Sequence, residues 1–291
     1  MIPAPGPHGG DGQRVSEALG ADVLDLSVSL NPVAPDLRPI LARHLDAVGR
    51  YPEPDRASAA VAEAMGVARE RLLLTNGGAE AIALVAAELG GRVAAEPEFS
   101  LLPRADGAAT WRSNPNNPTG RLMAPAGRAD VWDEAFYALA TGEWTRGDND
   151  TGSVVVGSLT KLFACPGLRL GYVIADDVAR FARRQPEWSV NGLAAAALPE
   201  LLETADVRGW AKQVADLRKD LHSLLAAFDP QPSDAAWILC AEAPNLREGL
   251  APHGVLVRDC ASFGLPGQAR VAVPGEAGLE RLEGALCRLE A

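Results

Sequence analysis

Apolar residues in the first two thirds of the chain fall into short runs separated by turn residues. The run RLLLT at 71–75 ends in Asn76-Gly77-Gly78, and the apolar spacing of the following AEAIALVAAELG is helical. These residues predict a strand, a glycine turn and a helix. Short apolar segments then alternate with turns: GRVAAE, VWDEAFYAL, SVVVGSL and LGYVIA. Such alternation predicts an α/β fold in which a mostly parallel sheet carries helices on its faces.

The pattern changes from about residue 187 onward. Residues 197–228 have the long, regular apolar spacing of one or two helices. Three short strands (AAWILCA, VLVRD and ARVAV) and a closing helix (GLERLEGALCRLE) are predicted to follow. We therefore expect a smaller α+β domain in this part of the chain.

The N-terminal residues 1–36 are rich in Pro and Gly and predict an arm with one strand near Val23–Leu30. Helices are predicted over residues 37–48 and 55–66. We expect the arm to complete the smaller domain. The predicted division is a larger domain over residues 49–198, and an arm with the smaller C-terminal domain over residues 1–48 and 199–291.

Composition narrows the class of protein. The chain has 291 residues, of which 47% are hydrophobic and 22% charged, as in one large globular domain or a large and a small one. We expect no membrane span and no signal peptide, because the chain has neither an apolar run long enough to span nor a basic start with an apolar core. The net charge of −11 argues against nucleic acid as a partner, because binding phosphate backbones requires excess basic charge.

The cysteines are scattered, with neither a CxxC pair nor the spacing of metal ligands. They are Cys165, Cys240, Cys260 and Cys287. This usage suits a reducing compartment. We therefore expect a cytoplasmic protein without a structural metal site.

Lysine is rare in this chain, and one lysine lies in an unusual place. Of the 27 basic residues, only Lys161, Lys212 and Lys219 are lysines. The last two lie in a charge-rich helical stretch and are expected at the surface. Lys161 lies instead in the apolar, Gly-containing segment GSLTKLFACPGLRLGYVIA, where a surface lysine is a poor explanation. A lysine that binds pyridoxal 5'-phosphate (PLP) as an imine explains it better.

A PLP site also needs a place for the cofactor's phosphate. The turn before the first helix of the sheet offers free N–H groups and a helix dipole, although a Gly-Gly turn alone is weak evidence. Two hydroxyls and an arginine near Lys161 could complete the site, although separately they could be strand-end hydroxyls and a surface arginine. The predicted phosphate residues are Gly78, Ala79, Glu80, Ser158, Thr160 and Arg169.

Three further residues have the chemistry to hold the cofactor's ring. Asp133, after a short apolar run, could keep the pyridine nitrogen protonated, and on local sequence alone a helix N-cap is about as good an explanation. Asn117, in NPNNPTG, could donate to the phenolic oxygen or could belong to a plain turn. Phe99 could stack on the ring or lie in the core.

Taken in order, NPNNPTG, DEAF and SLTKLFACPGLRLGY resemble the fold-type-I aminotransferase superfamily, over nearly the whole chain from about His8 to Val273. The spacing from Lys161 to Arg169 matches the branch that contains the histidinol-phosphate aminotransferases. The resemblance implies the PLP-dependent transferase fold, similar to that of aspartate aminotransferase.

Further motifs resemble the L-threonine-O-3-phosphate decarboxylase family of cobalamin biosynthesis, and of these WSVN and RDC discriminate best. The full set is HGGD, DLSVSLNP, YPEPD, NGGAEAI, PEWSVN and VRDC. This resemblance implies a homodimer in which Tyr51 reaches the PLP phosphate of the neighbouring subunit, and a phosphorylated amino acid as substrate. It also implies a group of substrate-binding residues: Arg270 for the α-carboxylate, Asn31 and Asn191 for the pocket lining, and His8 and Arg258 near the substrate phosphate.

The chain departs from these families in two places. It is short between Phe99 and Asn114 and between Gly120 and Asp133, and a parallel crossover with its helix needs about a dozen residues. We therefore expect a reduced larger domain, shortened around residues 100–132, with one strand or helix lost. Phe136 stands where histidinol-phosphate aminotransferases often carry a tyrosine, and Tyr137 should point the other way if the segment is a strand.

Three hypotheses about function follow. The first is PLP-dependent decarboxylation of L-threonine-O-3-phosphate to aminopropanol phosphate, with Lys161 and Asp133 as catalytic residues. The second is a histidinol-phosphate-type aminotransferase. The third is a degenerate PLP-fold protein that binds without turnover, which the shortened domain suggests and the retained site residues disfavour.

Overall fold

Two β-sheets and the helices packed on them make up the protein. The computed structural model describes residues 2–124, 126–146 and 152–289. Within these residues the strands are β1 (Leu24–Leu26), β2 (Leu72–Asn76), β3 (Arg92–Val93), β4 (Thr110–Ser113), β5 (Val131–Asp133), β6 (Val154–Gly157), β7 (Leu170–Ile174), β8 (Trp237–Cys240), β9 (Val255–Asp259) and β10 (Ala269–Ala272). The α-helices are α1 (Gly12–Leu19), α2 (Arg38–Arg43), α3 (Asp55–Met65), α4 (Gly77–Leu89), α5 (Tyr137–Thr141), α6 (Leu159–Leu162), α7 (Ala179–Ala182), α8 (Gly192–Glu203), α9 (Val207–Leu224), α10 (Leu246–Leu250) and α11 (Glu276–Leu289).

The larger sheet has six strands in the order β2-β7-β6-β5-β4-β3. Strands β3, β4, β5 and β6 pair in parallel, and β7 runs against both of its neighbours, β6 and β2. All strands except β7 therefore share one direction. The predicted α/β fold with a mostly parallel sheet is confirmed.

Both faces of this sheet are covered, which explains the continuous apolar runs of its central strands. Val155 of β6 faces a core cluster that includes α3 and α8, whereas Val154 and Val156 face a second cluster that includes α4. Every residue of β7 is buried. Coverage on both faces leaves the carboxyl ends of the parallel strands as the open edge at which a site can form.

The smaller sheet has the order β1-β9-β10-β8. The N-terminal arm contributes β1, which pairs in parallel with β9 and sets Leu24 opposite Val255. Helices α9 and α11 supply Leu221 and Leu282 to the core on this sheet. The domain boundaries near residues 49 and 198 stay a prediction.

The larger domain is reduced where the sequence predicted. Residues 94–109, between β3 and β4, contain no helix, and neither do the described residues 114–124 and 126–130 between β4 and β5. Strands β3 and β4 nevertheless pair directly, with Arg92 opposite Thr110. The crossovers have therefore lost their helices, and irregular backbone borders one side of the sheet.

The segment VWDEAFYAL differs from the prediction. Strand β5 ends at Asp133, and α5 begins at Tyr137. The alternation of a strand therefore does not govern Phe136 and Tyr137, and the argument that Tyr137 points away on that ground is wrong. The residue stretch predicted as a helix over 37–48 is also divided, into α2 and a 3-10 helix over Leu45–Gly49.

No helix within the described part of the chain combines the length and the apolar character needed to cross a membrane.

Candidate active site

A cavity of about 250 Å³ opens where the carboxyl ends of β4, β5 and β6 face the smaller sheet. Most of the residues predicted for the site line this one cavity. They are His8, Gly78, Ala79, Phe99, Asn117, Asp133, Ser158, Lys161, Arg169, Arg258 and Arg270. Residues that lie far apart in the sequence are thus brought together around a space large enough for a small ligand.

Lys161 lies one turn beyond the end of β6, in the short helix α6 whose N-cap is Ser158. Its Nζ is 5.8 Å from the ring centroid of Phe136. Burial lowers the pKa of Lys161 to about 8, and the nearby charges of Arg270 and Arg169 lower it further, against the opposing effect of Asp133. A substantial fraction of this amine is therefore neutral near physiological pH, as a nucleophile toward an aldehyde must be.

Asp133 is the last residue of β5 and is buried. Burial raises the pKa of its carboxyl to about 6, although the Ala135 N–H, 3.0 Å from Oδ1, and the charge of Lys161 both favour the ionised form. A carboxylate that has lost its hydration gains most from a cationic partner. Asp133 thus suits a protonated pyridine nitrogen.

The N-terminus of α4 forms the anion side of the cavity. Gly77 has a φ of +78°, and a Cβ there would lie 2.6 Å from Nη2 of Arg169, so the guanidinium lies directly against the glycine. A Cβ on Gly171 of β7 would lie 2.4 Å from the Gly77 carbonyl carbon. These glycines let an arginine and a helix N-terminus converge, and with Ser158 on the cavity wall they fit a phosphate group.

Arg169 and two other arginines of the cavity have no acidic partner among the described residues. Arg270, 5% exposed, donates from Nη1 to Oδ1 of Asn117 at 2.5 Å. Arg258, 3% exposed, donates from Nη2 to the carbonyl of Pro7 at 2.6 Å, and its buried Nε has no hydrogen-bond partner within the described structure. Buried cations without carboxylates predict an anionic ligand.

Burial also lowers the pKa of Arg270 to about 10, and the charge of Arg258 adds to this effect. The Arg270 bond to Oδ1 fixes the orientation of the Asn117 amide. No acceptor in the described structure lies within hydrogen-bonding distance of Asn117 Nδ2, so this nitrogen is available to an oxygen of a ligand.

Two of the predicted phosphate residues do not line the cavity. The Thr160 hydroxyl donates to the carbonyl of Leu170 at 3.0 Å and accepts from its N–H at 2.9 Å. The Glu80 carboxylate accepts from the Asn76 N–H at 2.7 Å and from Gln185 at 3.1 Å. Thr160 therefore holds the loop after Lys161, and Glu80 caps α4, in place of the predicted contacts with phosphate.

The predicted pocket residues Asn31 and Asn191 also lie outside it. Asn31 donates from Nδ2 to the Leu162 carbonyl at 2.9 Å, while its own N–H donates to the Lys161 carbonyl at 3.0 Å. Asn191 is the N-cap of α8 and accepts from the Ala194 N–H. Asn31 therefore supports the backbone at Lys161 from behind, and Asn191 serves its own helix.

Tyr51 is far from reaching the cavity of its own chain. Its ring is 74% exposed and stacks on the exposed Trp188, with centroids 4.5 Å apart. An aromatic pair of this kind at the surface leaves apolar area available to another chain.

Two wall residues that the sequence predicted for the ring or the substrate lie against each other. The His8 ring is edge-on to Phe99 at 6.1 Å, and Nδ1 of His8 is 3.2 Å from Oγ of Ser100. The N-terminal arm therefore crosses the mouth of the cavity and contacts the shortened loop.

Glu98, Ser113 and Phe263 are site features that sequence reasoning missed. Ser113 and Phe263 line the cavity, and Glu98 is a buried carboxylate behind it that accepts from Ser113. In EPEFS nothing distinguishes Glu98 from an exposed glutamate such as Glu96. Its position directly before Phe99 is the one signal that could have drawn attention to it.

Metal chemistry finds no support in the arrangement of side chains. Across residues 2–124, 126–146 and 152–289, no group of three or more His, Cys, Asp or Glu side chains is arranged to hold a metal ion.

Comparison with known proteins places the chain in a family. Residues 111–286 match the family model described as aminotransferase class I and II. The chain is 30% identical to threonine-phosphate decarboxylase of Salmonella typhimurium, with 96% of this chain and 95% of that protein covered. It is 27% identical to histidinol-phosphate aminotransferase 1 of Dechloromonas aromatica, with 91% and 90% covered.

A solved structure has the same fold. Histidinol-phosphate aminotransferase from Sinorhizobium meliloti, in complex with pyridoxal-5'-phosphate, superimposes with a TM-score of 0.80 at 15% identity over 96% of this chain and 94% of that one. The cavity described above has a lysine, a buried carboxylate and a phosphate-shaped anion site, and these fit PLP. The chain belongs to the class I and II aminotransferase family and is, as the sequence predicted, a PLP-dependent enzyme.

Proposed function

We propose that this enzyme decarboxylates L-threonine-O-3-phosphate to aminopropanol phosphate. In this reaction the bond between Cα and the carboxylate breaks, CO2 leaves, and a proton takes its place on Cα. The similarity to a threonine-phosphate decarboxylase at 30% identity supports the proposal. The similarity to histidinol-phosphate aminotransferases does not discriminate, because it extends over nearly as much of the chain.

The observation that carries the proposal is the pair Arg258 and Arg270. The two are opposed in register on β9 and β10, and both are buried without an acidic partner in the described structure. Two buried cations suit a substrate with two anionic groups. Threonine phosphate carries a carboxylate and a phosphate, whereas histidinol phosphate carries the phosphate alone. We assign the carboxylate to Arg270 and the phosphate to Arg258, with His8 beside it.

Bound PLP supplies an electron sink for the electron pair left at Cα. The chain's own residues prepare for that chemistry. Asp133 would hold a proton on the pyridine nitrogen, and the Asn117 Nδ2 group would donate to the phenolic oxygen. Arg169, Ser158 and the first amides of α4 would bind the phosphate.

Lys161 and Arg270 decide what happens at Cα. The Lys161 amine is positioned to bind the cofactor and then to give a proton to Cα when the carboxylate has left. Arg270 would set the carboxylate bond perpendicular to the ring, because only that bond then overlaps the π-system. Phe99, Phe136 and Phe263 line the cavity and exclude water from it.

We also propose a homodimer in which Tyr51 reaches the partner's cofactor phosphate. The exposed Tyr51–Trp188 stack and the 70% exposed Val48 supply apolar surface for such an interface. The free thiols of all the cysteines support a reducing, cytoplasmic location. Sedimentation of the wild type and of Tyr51→Ala would test the dimer, and a monomeric wild type would contradict it.

The deciding experiment is a visible absorption spectrum of the protein with PLP, followed by trapping of CO2 after addition of L-threonine-O-3-phosphate. We expect a visible band that Lys161→Ala abolishes and substrate-dependent CO2. Lys219→Ala is the matched control, because Lys219 is an exposed lysine paired with Asp216. A band without CO2, but with amino transfer to a keto acid, would favour the alternative, a histidinol-phosphate-type aminotransferase.

A further inference from the structure

A buried carboxylate lies directly behind the wall of the active-site cavity. Glu98 is 4% exposed. Its Oε1 accepts from the Ser113 N–H at 3.1 Å, and its Oε2 accepts a short hydrogen bond from the Ser113 hydroxyl. No cation pairs with it in the described structure. Burial raises the pKa of Glu98 to about 7, and the charge of Asp133 contributes in the same direction.

Glu98 is connected to the cavity by a series of hydrogen bonds. The Ser113 hydroxyl, which donates to Glu98, accepts from the Asn117 N–H at 2.8 Å. The Asn117 side chain in turn accepts from Arg270 at 2.5 Å. Ser113 is also the register partner of Asp133 across β4 and β5. The carboxylate thus reaches Asn117 and Arg270 through one serine.

The same carboxylate ties an irregular loop to the sheet. Residues 94–109 contain no helix, and Phe99, which follows Glu98, supplies a face of the cavity. The Arg104 guanidinium holds the loop to itself, through the carbonyls of Glu98 and Leu102. The Glu98–Ser113 bonds are side-chain and backbone contacts that join this loop to the end of β4.

We propose that Glu98 is a positioning residue of the active site, which holds Asn117 and Phe99 in place through its two hydrogen bonds with Ser113. It touches neither the cofactor nor the substrate. A carboxylate suits this place because Ser113 offers two donors, N–H and O–H, and each carboxylate oxygen accepts one of them. The proposal rests on the PLP site described above and deepens it.

The test compares Glu98→Gln and Ser113→Ala with the wild type. A glutamine offers one acceptor oxygen and sets its NH2 group against a Ser113 donor, whereas alanine removes the hydroxyl between Glu98 and Asn117. We expect PLP to bind about tenfold more weakly in each variant, the effect of one lost hydrogen bond. We also expect kcat to fall by about 10- to 100-fold, because misplaced groups cost rate more than binding.

Three readouts separate positioning from a loss of folding. The visible band of bound PLP should shift in both variants, because Asn117 would no longer meet the phenolic oxygen squarely. Ser113→Thr keeps the hydroxyl and should restore the wild-type band. Glu96→Gln is the matched control, since Glu96 lies two residues away, is exposed and pairs with Arg104.

Far-UV circular dichroism and a thermal midpoint establish that each variant folds, and if Glu98→Gln does not fold, the comparison of Ser113→Ala with Ser113→Thr carries the test. Wild-type PLP affinity, band and kcat in both Glu98→Gln and Ser113→Ala would overturn the inference and leave the proposed function intact. A wild type that binds no PLP would overturn both. PLP binding by the wild type without CO2 release would overturn the decarboxylase alone, because the PLP affinities and bands of the variants still test Glu98.

Discussion

Arg258 and Arg270 stand directly opposite each other on the antiparallel strands β9 and β10, and both are buried. Like charges opposed across a strand pair are unfavourable. Aromatic rings moderate the cost, since the Arg258 guanidinium lies 5.1 Å from the Phe263 centroid and that of Arg270 lies 4.9 Å from the Trp237 centroid. The remaining cost is offset when an anion binds between them, which makes the pair a binding device.

Replacing Arg270 tests this device. We expect Arg270→Gln to lower kcat/KM for threonine phosphate by about 10- to 100-fold, the effect of one lost charge-assisted hydrogen bond. The affinity for PLP should change far less, because Arg270 faces the substrate side. Arg208→Gln serves as the control, since its ion pair with Glu143 is at the surface. Equal loss of kcat/KM in both variants would contradict the assignment.

The glycine at the start of α4 should be indispensable to cofactor binding. A Cβ at Gly77 would lie 2.6 Å from the Arg169 guanidinium, so Gly77→Ala should displace that arginine and weaken PLP binding by at least about tenfold. Gly66→Ala is a matched control. Gly66 also has a positive φ, of +68°, but nothing lies within 4 Å of the added methyl group.

Both substitutions should lower the thermal midpoint through backbone strain, about 1 kcal/mol each. Isothermal titration with PLP separates this shared effect from the specific one. Unchanged PLP affinity in Gly77→Ala would show that Arg169 has no part in the phosphate site.

Lys161 should be unusually reactive in the cofactor-free protein. Burial lowers its pKa to about 8, so its amine loses its proton at a lower pH than a lysine in water. Reductive methylation at pH values from 6 to 11, read by mass spectrometry of peptides, should give a midpoint near pH 8 for Lys161. A midpoint above pH 10 at this residue would be inconsistent with the cavity described.

The stability of the cofactor-free protein should fall as the pH rises toward neutrality. Burial raises the pKa of Glu98 and of Glu134 to about 7, and that of Asp133 to about 6. A raised carboxyl pKa means that the folded state binds the proton more tightly than the unfolded chain does. Its contribution is complete below about pH 4 and is lost as the pH rises through 6 to 7.

Each of these carboxyls contributes on the order of 2 kcal/mol to the pH dependence. Urea unfolding at pH 5, 6 and 7 would measure the slope, and Glu98→Gln should reduce it, because the amide does not titrate. Glu96→Gln should leave the slope as it is. A slope that Glu98→Gln leaves unchanged would place the titrating groups elsewhere.

Local sequence was sufficient for the elements that create the cofactor site. The apolar runs of β6 and β7, the glycine turn into α4 and the segment around Lys161 each carry their signal within about twenty residues. Strand burial, helix periodicity and the conformational freedom of glycine act over such distances. For the same reason Asp133, Lys161 and Arg169 could be identified before any contact was known.

The partners of side chains could not be read in this way. Thr160 meets the backbone of Leu170, and Asn31 meets that of Leu162, 131 residues away. Each was expected in the pocket because its type suits a ligand, and each is instead satisfied by backbone groups. A buried polar side chain bonds to whatever group the fold places beside it, and sequence spacing does not reveal that group.

The arginine pair and Glu98 show most clearly where sequence reasoning ends. Motif similarity alone indicated Arg258 and Arg270, but their opposition depends on the register of β9 against β10, and the Arg270 bond joins residues 153 positions apart. Glu98 is buried only because its loop, without a helix, folds against β4. The sequence determined the cofactor and the family through local chemistry. The fold determined which charges are buried together, because burial and register arise from contacts between distant segments.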